Sequence, residues 1–536
     1  MLLAGSVHVN RKRIARILIA AVVIYFILMF LLYLVEHFYG GSDSHIQSVG
    51  DAAWYIIATL TTVGYGDVTP VTGLGKVVGA VLMVSSAGLL TFLLGIVISL
   101  LFGRLIPVFS LWKNKNREWY IFTRLNPRSR FLANRLAAED KHCLCIFCAD
   151  PKAFRQEQTE FNNNVIALDE NAETILGMRG KKRSAHLFFM TENGWDNYRD
   201  ANTLLKNTKQ KDFTVYCETD YSPERIPDHM VLFNLPDNTA RSYWMDSPVE
   251  KDEKIIVFIG GGELASRMLE RGLLINVFPD EHHLEYHLFG DWEKFRQEHY
   301  ELGNAVSVGS ISETSDSLIY EKDSWRNAHD LIKRADRILI CGDCEEDNLS
   351  VMNELFLYYP LHAKVDIHAT LVDERCGMIG APERVISREN VMKDKLNHTA
   401  VTLNDLYREK TGSGCAFNEL KTFYRQSNIS SADHLLTKIR LLLPDENVTH
   451  ITSEVCEKAY KKYSLLSEEE KENCRYLEHK RWIRFYVINN WSYAPERDNA
   501  SRRHAMIVPY DKLTREEQIL DDSAWEVLEE VAKAWQ

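Results

Sequence analysis

Residues 62 to 67, TVGYGD, are the segment whose residue types and spacing point most directly to a chemical use. A stretch so short and so rich in glycine is neither a stable helix nor an ordinary strand, so its use lies in its backbone. Its glycines permit the backbone angles that would let successive carbonyls turn the same way. The segment therefore indicates a functional backbone rather than catalytic side chains.

Two uncharged apolar runs flank this segment, from Ile17 to Val35 and from Val77 to Phe102. Each is long enough to cross the hydrocarbon core of a bilayer as a helix. Basic residues precede the first run and follow the second, which predicts that both chain termini are cytoplasmic. These residues are Arg11, Lys12, Arg13, Arg16, Arg104, Lys113, Lys115 and Arg117. A cleaved signal peptide, the alternative for the first run, would have a shorter apolar region that ends in small residues.

This arrangement resembles the pore of potassium channels, and the resemblance covers residues 12–103. It implies an outer helix over 17–38, a pore helix and selectivity filter over 51–67, and an inner helix over 75–103, with K+ as the permeant ion. The implied filter residues are Thr62, Val63, Gly64, Tyr65, Gly66 and Asp67. Because one chain supplies one pore loop, the resemblance also implies a homotetramer around one axis.

The short pore helix and the inner helix carry further predictions. Asp51 is predicted to cap the pore helix, and Trp54 and Tyr55 resemble the aromatic cuff that braces the filter in this family. Ala58 departs from the family, since some members carry a glutamate there that pairs with the aspartate at the mouth. The candidates for a gating hinge are Ser86, Gly88 and Gly95, but small residues also suit close helix packing, and both interpretations stay open.

Apolar strands alternate with helices after the second span, which predicts doubly wound parallel sheets. We place a linker over 104–117 and two Rossmann-like α/β domains over 118–246 and 254–400. Their position directly after a pore resembles the tandem RCK domains, which form a ring under tetrameric channels and bind ions or nucleotides. The first domain lacks a glycine fingerprint, although Arg124, Arg128 and Arg130 offer charges for an anion if they are not simply solvated.

The second α/β domain begins with a GxGxxA motif after its first strand. Gly260, Gly262 and Ala265 would let a phosphate approach a helix N-terminus, and Asp280 lies twenty residues beyond the first glycine, where an acid can hold a ribose. The sequence thus predicts a site for NAD(H) or a ligand derived from an adenine nucleotide. A tight turn needed only for helix packing is an equal alternative.

The pattern becomes helical over 404–536, with a lead-in that resembles the one that bacterial members carry before a ryanodine-receptor repeat (RyR) domain. The repeat itself is similar through Glu478-His479-x-x-Trp482, Trp491-x-Tyr493 and Val508-Pro509-Tyr510. Aromatic faces stack a base and arginines bind phosphates in a bidentate manner, which makes this region a candidate nucleotide sensor. The candidate ligand residues are Trp491, Tyr493, Arg497, Arg502, Arg503, His504 and Tyr510. The alternative is that the aromatic residues form the core of this module.

Composition narrows the function classes. The 536-residue chain is too long for one core, its net charge of -12 argues against nucleic acid as a partner, and its ten cysteines do not form a disulfide framework. We predict a multidomain protein of the bacterial inner membrane that crosses the lipid bilayer twice, has no metal site and is not an enzyme. Its expected function is that of a ligand-gated potassium channel, with a small nucleotide-type ligand.

Two other function classes remain as alternatives. One is a membrane-tethered NAD-dependent oxidoreductase that uses the site at Gly260, and the other is a non-conducting ligand-binding module. No arrangement of a general acid or base is placed by motif, which weighs against the oxidoreductase. Ion homeostasis and a stress or antiphage response are both compatible with a channel.

Overall fold

The computed structural model describes residues 11–100, 106–114, 116–156, 162, 164–179, 184–208, 212–303, 316–370, 373–393, 395–412 and 414–534. The predictions for residues 1–10, for the inner helix beyond 100 and for Arg104 and Lys115 therefore lie outside the described residues. The chain divides into two compact units, residues 1–113 with 150–152 and residues 114–149 with 153–536.

The first unit is helical. Its helices are α1 (Arg11–Tyr39), α2 (Val49–Leu60), α3 (Gly73–Leu100) and α4 (Ile106–Lys113), with a 3-10 turn at Gly41–Asp43. The apolar stretches Ile19–Tyr39 and Gly73–Gly95 are long enough to cross a membrane. Leu32, Ala52 and Leu82 pack in one core, so α1, α2 and α3 all pack against one another.

Helix α2 begins two residues earlier than predicted, and Ser48 rather than Asp51 is its N-cap. The Ser48 side chain accepts a hydrogen bond from the Asp51 amide, and the Asp51 carboxylate accepts one from the Ser48 amide at 2.8 Å. The prediction of Asp51 as the cap was wrong because the acid occupies the third helical position of a reciprocal capping box.

The first α/β domain contains a six-stranded parallel sheet in the order β3-β2-β1-β4-β5-β6. This order reverses direction between β1 and β4, which is the doubly wound topology that the sequence predicts. The strands are β1 (Glu118–Phe122), β2 (Cys143–Cys148), β3 (Val165–Leu168), β4 (Ala185–Phe189), β5 (Phe213–Glu218) and β6 (Met230–Phe233). The helices are α5 (Pro127–Glu139), α6 (Pro151–Gln156), α7 (Ala172–Gly177), α8 (Gly194–Asn207) and α9 (Leu235–Asp246).

The second α/β domain repeats this topology in the order β12-β11-β10-β7-β8-β9. Its strands are β7 (Ile255–Ile259), β8 (Glu285–Phe289), β9 (Ser317–Tyr320), β10 (Arg337–Ile340), β11 (Lys364–Ile367) and β12 (Cys376–Met378). Its helices are α10 (Glu263–Ile275), α11 (Glu293–Glu298), α12 (His329–Arg334), α13 (Glu345–Tyr358), α14 (Pro382–Val385) and α15 (Arg388–Val391).

The last two of these helices pack on the first domain. Val385 and Val391 belong to the core that contains Tyr120 and Phe233, and the Arg388 guanidinium donates to the Tyr120 hydroxyl at 2.7 Å. Residues 219–229, between β5 and β6, contain no helix, so the apolar face of the first sheet needs a cover from elsewhere in the chain. The predicted boundary of 254–400 therefore does not coincide with a packing boundary.

The C-terminal region is mainly helical. It comprises α16 (His398–Thr411), α17 (Thr422–Asp433), α18 (Leu435–Leu442), α19 (Ser453–Ser464), α20 (Glu468–Ile488), β13 (Ser492–Tyr493), β14 (Arg503–His504), α21 (Arg515–Ile519) and α22 (Ser523–Ala534). Phe485, Ile488 and Trp491 share one buried core with Phe258 and Leu269 of the second α/β domain. This C-terminal module is thus fused to that domain and is not a tethered appendage.

Candidate functional site

The predicted filter follows the end of α2 with an alternating backbone. Thr62, Gly64 and Gly66 have φ of 61°, 57° and 77°, whereas Val63 and Tyr65 keep negative φ. Alternation of left- and right-handed residues turns successive carbonyls toward one side, while a strand would alternate them. The amides of Val63 and Gly64 both donate to the Ala58 carbonyl, at 3.0 and 3.1 Å. These amides are therefore held against α2.

Trp54 braces this segment from the side. Its indole nitrogen donates to the Asp67 carboxylate at 3.0 Å, and its ring stacks on Tyr65 with centroids 5.6 Å apart and planes 9° from parallel. Tyr55 lies in the buried core of the unit. The structure thus brings Trp54, Tyr65 and Asp67 together, and the bond from the indole to Asp67 is a link that the sequence analysis did not foresee.

Glu36 is a second element that the sequence analysis missed. Its side chain is fully buried at the end of α1 and accepts hydrogen bonds from the hydroxyls of Ser44 and Thr72, at 2.9 and 2.6 Å. The amides of Val71 and Thr72 also donate to it, at 3.2 and 3.0 Å. A single acid next to an apolar span is a signal for such a role, because an ionisable group there is costly unless it is fully bonded.

Replacing Glu36 by glutamine should weaken the link between α1 and the segment that follows the filter. The amide NH2 would face donors where the carboxylate oxygens now accept, at a cost of about 1–3 kcal/mol. We expect a lower temperature of thermal unfolding for the protein in detergent, and a smaller decrease for Ser44→Ala, which removes only one donor. An unchanged unfolding temperature for Glu36→Gln would contradict this role.

The hinge candidates lie in an uninterrupted helix. Helix α3 runs through Ser86, Gly88 and Gly95 without a break. Ser86 is buried, and the Tyr25 hydroxyl of α1 donates to Ser85 and Ser86 at 3.1 and 3.2 Å. This contact suits the packing interpretation at Ser86, and a hinge at any of the three residues stays a prediction.

The glycine motif of the second α/β domain contacts other residues of the same domain, where a ligand was predicted. Gly262 has a φ of 102° and caps α10, and a Cβ there would come within 1.9 Å of the Asp343 carboxylate. The Glu263 amide donates to the same carboxylate at 3.4 Å. A negative charge therefore already occupies the helix N-terminus where a pyrophosphate would lie. Ala265 is buried in the core.

Asp280 does not lie with these glycines, and its prediction as a ribose ligand was wrong. Ile255 pairs with Glu285, so Asp280 precedes β8 at the amino edge of the sheet, while Gly260 follows β7 at the carboxyl edge. The Asp280 carboxylate instead binds the Lys480 ammonium and the Tyr476 hydroxyl, each at 2.7 Å. The twenty-residue spacing from Gly260 gave a wrong prediction because α10 extends to Ile275, and residues 276–284 follow it before β8 begins.

A cavity of 580 Å³ opens at the carboxyl ends of the first sheet. Its lining comes from the ends of β1 to β4 and from α7 and α8, at the point where the strand order reverses. The lining residues are Thr123, Arg124, Cys148, Asp169, Glu170, Asn171, Ala172, Glu173, Phe189, Thr191, Asn197, Asp200, Thr203, Leu204 and Asn207. Of the predicted anion ligands, only Arg124 is part of this lining.

Arg128 has a different partner and lies outside the cavity lining, as does Arg130. The Arg128 guanidinium binds Glu218 at 2.6 Å, and the Glu218 side chain is almost fully buried. Burial raises the pKa of Glu218 to about 7, although the charge of Arg128 opposes that shift. Arg128 therefore has a structural partner that an anionic ligand would have to displace.

The candidate residues of the C-terminal module divide into a core group and a surface group. Trp491 is 4% exposed and stacks on Phe423 at 5.0 Å, and His504 and Tyr510 are also buried. Burial, followed by the nearby Arg497, lowers the pKa of His504 to about 4. For Trp491 the core alternative holds, because its ring fills the core shared with the second domain.

The surface group consists of Tyr493, Arg497, Arg502 and Arg503, all exposed. Arg497 donates to Tyr424 at 3.2 Å, Arg502 to the Asn489 carbonyl at 2.8 Å, and Arg503 to the Tyr493 carbonyl at 3.3 Å. These bonds hold the guanidinium groups near β13 and β14. A ligand for these residues would therefore lie on the surface and not in an enclosed pocket.

One region of the chain matches a known protein family. Residues 14–103 match the family described as ion channel. A voltage-gated potassium channel of Aeropyrum pernix is 48% identical over 68 residues, which is 13% of this chain and 22% of that protein. The calcium-gated potassium channel TvoK of Thermoplasma volcanium is 36% identical over 245 residues, 43% of this chain and 61% of that protein. The chain thus spans less than two thirds of the length of these curated relatives.

Among solved structures, the chain is similar to the GsuK channel, with 13% identity and a TM-score of 0.30 over 72% of this chain and 99% of that one. A structure of GsuK bound to ADP shows 14% identity and a TM-score of 0.27 over 67% and 90% of the two chains. Residues 14–103 are thus an ion channel domain, similar in sequence to the pores of prokaryotic potassium channels.

Proposed function

We propose that four copies of this chain form a potassium-selective channel that is gated by a ligand bound to the cytoplasmic domains. The observation that carries the proposal is the backbone of residues 62–66, with its alternating φ and its amides bound to α2. Four such segments around one axis would offer K+ successive rings of carbonyl oxygens in place of water. The pore would need no covalent chemistry.

The first α/β domain offers the best place for the ligand. Its cavity of 580 Å³ lies in the usual size range of small-molecule sites and at the topological switch point between β1 and β4. Arg124 supplies a cation for a phosphate, and Asp169 and Glu170 supply acceptors for ribose hydroxyls. A nucleotide-type ligand such as NAD(H) or an adenine nucleotide suits this combination.

Arg124→Ala should weaken nucleotide binding to the purified channel. Loss of one charge-assisted hydrogen bond costs about 1.5–3 kcal/mol, or roughly tenfold to a hundredfold in Kd. Calorimetry with ADP and NAD would measure the change, and Lys206→Ala, an exposed cation of α8 outside the cavity lining, is the matched control. Equal affinities for all three proteins would remove the cavity as the nucleotide site.

Calcium is the second ligand to test in this cavity, because TvoK is a calcium-gated relative. Asp169, Glu170 and Glu173 carry carboxylates, the groups that Ca²⁺ prefers, in the cavity lining, although no three such side chains among the described residues are arranged to hold a metal ion. A Ca²⁺ response that survives Arg124→Ala and disappears in Asp169→Asn would assign the cavity to the cation. The opposite pattern would assign it to the nucleotide.

We propose that the C-terminal module acts together with the two α/β domains in regulating the pore. Helix α9 links the two α/β domains, and Arg241 within it is bound to Asp433 of α17 at 2.7 and 2.8 Å. Arg241 also donates to the Asn397 side chain and the Leu396 carbonyl. A ligand that moves the module would therefore act directly on α9. Truncation after residue 402 would remove residues such as Phe485 and Trp491 and so expose the shared core.

Flux from vesicles tests the proposed function. Purified protein reconstituted in liposomes should release K+ along its gradient, and the rate should change when nucleotide or Ca²⁺ is added on the cytoplasmic side. A membrane-tethered oxidoreductase and a non-conducting binding module would both leave the vesicles tight. Turnover of NAD(H) without K+ release would favour the oxidoreductase, although Asp343 opposes a pyrophosphate at Gly262.

A further inference from the structure

The short helix α4 carries two aromatic side chains that the described part of the first unit leaves open to solvent. Phe109 is 62% and Trp112 is 65% exposed, and their ring centroids are 5.8 Å apart. Leu111, between them in sequence, is buried, so the helix has a packed side and an aromatic side. Large exposed aromatic side chains next to one another mark a surface that contacts something apolar.

The position of α4 in the chain places it beside a bilayer. Helix α3 ends at Leu100 and α4 begins at Ile106. The five residues between them span at most about 20 Å even when fully extended. If α3 crosses the membrane, α4 must lie within that distance of the cytoplasmic interface, where Trp and other aromatic side chains are favoured.

The charge around α4 has one sign. Residues 104–117 contain four basic residues and no acidic residue, although the whole chain carries a net charge of -12. The basic residues are Arg104, Lys113, Lys115 and Arg117. Lys113 is the last residue of α4 and is exposed. Basic residues of this kind are attracted to the anionic lipids of the cytoplasmic leaflet.

We propose that α4 is an interfacial helix that lies on the cytoplasmic leaflet, with Phe109 and Trp112 in the boundary between headgroups and acyl chains and Lys113 against anionic headgroups. Aromatic insertion and charge attraction act together in such helices, so binding depends on lipid composition. Because α4 follows α3 directly, the lipid contact would bear on the end of the inner helix. The proposal rests on α1 and α3 spanning the bilayer.

Lipid quenching of Trp112 tests the proposal in the full-length protein. The channel is reconstituted in vesicles of phosphatidylcholine alone and of phosphatidylcholine with phosphatidylglycerol, with bromine placed on the acyl chains near the headgroup. The contribution of Trp112 is the difference in fluorescence between the unmodified protein and Trp112→Phe. This contribution should be quenched more strongly in the anionic vesicles than in the neutral ones. Trp195→Phe is the control, because Trp195 is 53% exposed on α8 of the first α/β domain.

Removal of charge tests the anionic part of the contact. Lys113→Gln should reduce the equilibrium constant for binding of α4 to the anionic surface about fivefold, the contribution of one basic residue near such a surface. Quenching of Trp112 that is equal in neutral and anionic vesicles would overturn the charge recognition, and no quenching would overturn the interfacial position. This measurement does not depend on conduction, so its failure is distinct from failure of the channel assignment.

Discussion

Replacement of Gly64 by alanine should abolish potassium-selective flux while the protein still assembles. Gly64 has a φ of 57°, where an L-residue with a Cβ costs about 1–2 kcal/mol. In the proposed tetramer this strain would occur four times around one axis, and a return of Gly64 to negative φ would turn its carbonyl away from the ion. We expect vesicles with Gly64→Ala to retain K+ as well as empty vesicles do, with an unchanged elution volume for the detergent-solubilised protein.

Gly41 provides a matched control for this substitution. It has the same φ of 57° as Gly64. A Cβ added at either glycine would have no atom within 4 Å apart from those of the glycine itself and its two neighbours in sequence. Gly41→Ala therefore introduces the same local strain outside residues 62–67. Selective flux should survive in Gly41→Ala. Normal selective flux in Gly64→Ala, or equal loss in both variants, would refute the assignment of this segment as the filter.

Asp433→Ala should give the largest loss of stability in the α/β domains and the C-terminal module. The Arg241 and Asp433 side chains are 2% and 1% exposed, and the substitution would leave the Arg241 charge buried without its carboxylate. Removing one partner of a buried pair typically costs about 3–5 kcal/mol. We expect a lower midpoint of denaturant unfolding for the full-length protein in detergent, together with loss of the ligand response.

Two further variants separate the buried charge from a general sensitivity to mutation. Glu354→Ala breaks the exposed pair with Arg326 and should cost about 1 kcal/mol or less. Arg241→Met combined with Asp433→Leu removes both charges and should recover much of the stability that the single substitution loses. If Asp433→Ala unfolds like the wild type, the pair does not hold the C-terminal module on α9.

The parallel sheets were predictable because local patterns determine them. Apolar runs such as residues 143–148 separated by helices require buried parallel strands, and the observed strand orders agree. The filter segment and its flanking helices were predictable for a similar reason. The glycine spacing and the length of the apolar spans are both local features of the sequence. The roles of residues 62–67 in conduction remain predictions.

Contacts between distant parts of the chain were not predictable from local pattern. Glu36 binds residues near 71 only after α1 and α3 have packed, and Arg241 meets Asp433 across 192 positions. The spacing of Asp280 from Gly260 was plausible for a ribose ligand, but Asp280 lies at the opposite edge of the sheet. The spacing alone does not show how many residues separate the end of a helix from the next strand. Trp491 was a candidate ligand from its sequence pattern, yet it lies in a core shared between the C-terminal module and the second α/β domain.

The reversal potential of single channels tests the central claim most directly. Purified protein in a planar bilayer, with concentrated K+ on one side and dilute K+ plus Na+ on the other, should give a reversal potential close to the K+ equilibrium potential, because a backbone filter fitted to K+ dehydrates Na+ poorly. The same potential should persist in the Arg124→Ala and Asp433→Ala variants whenever they conduct. A reversal potential near zero, or protein that assembles and never conducts K+ with any of the proposed ligands, would contradict the account.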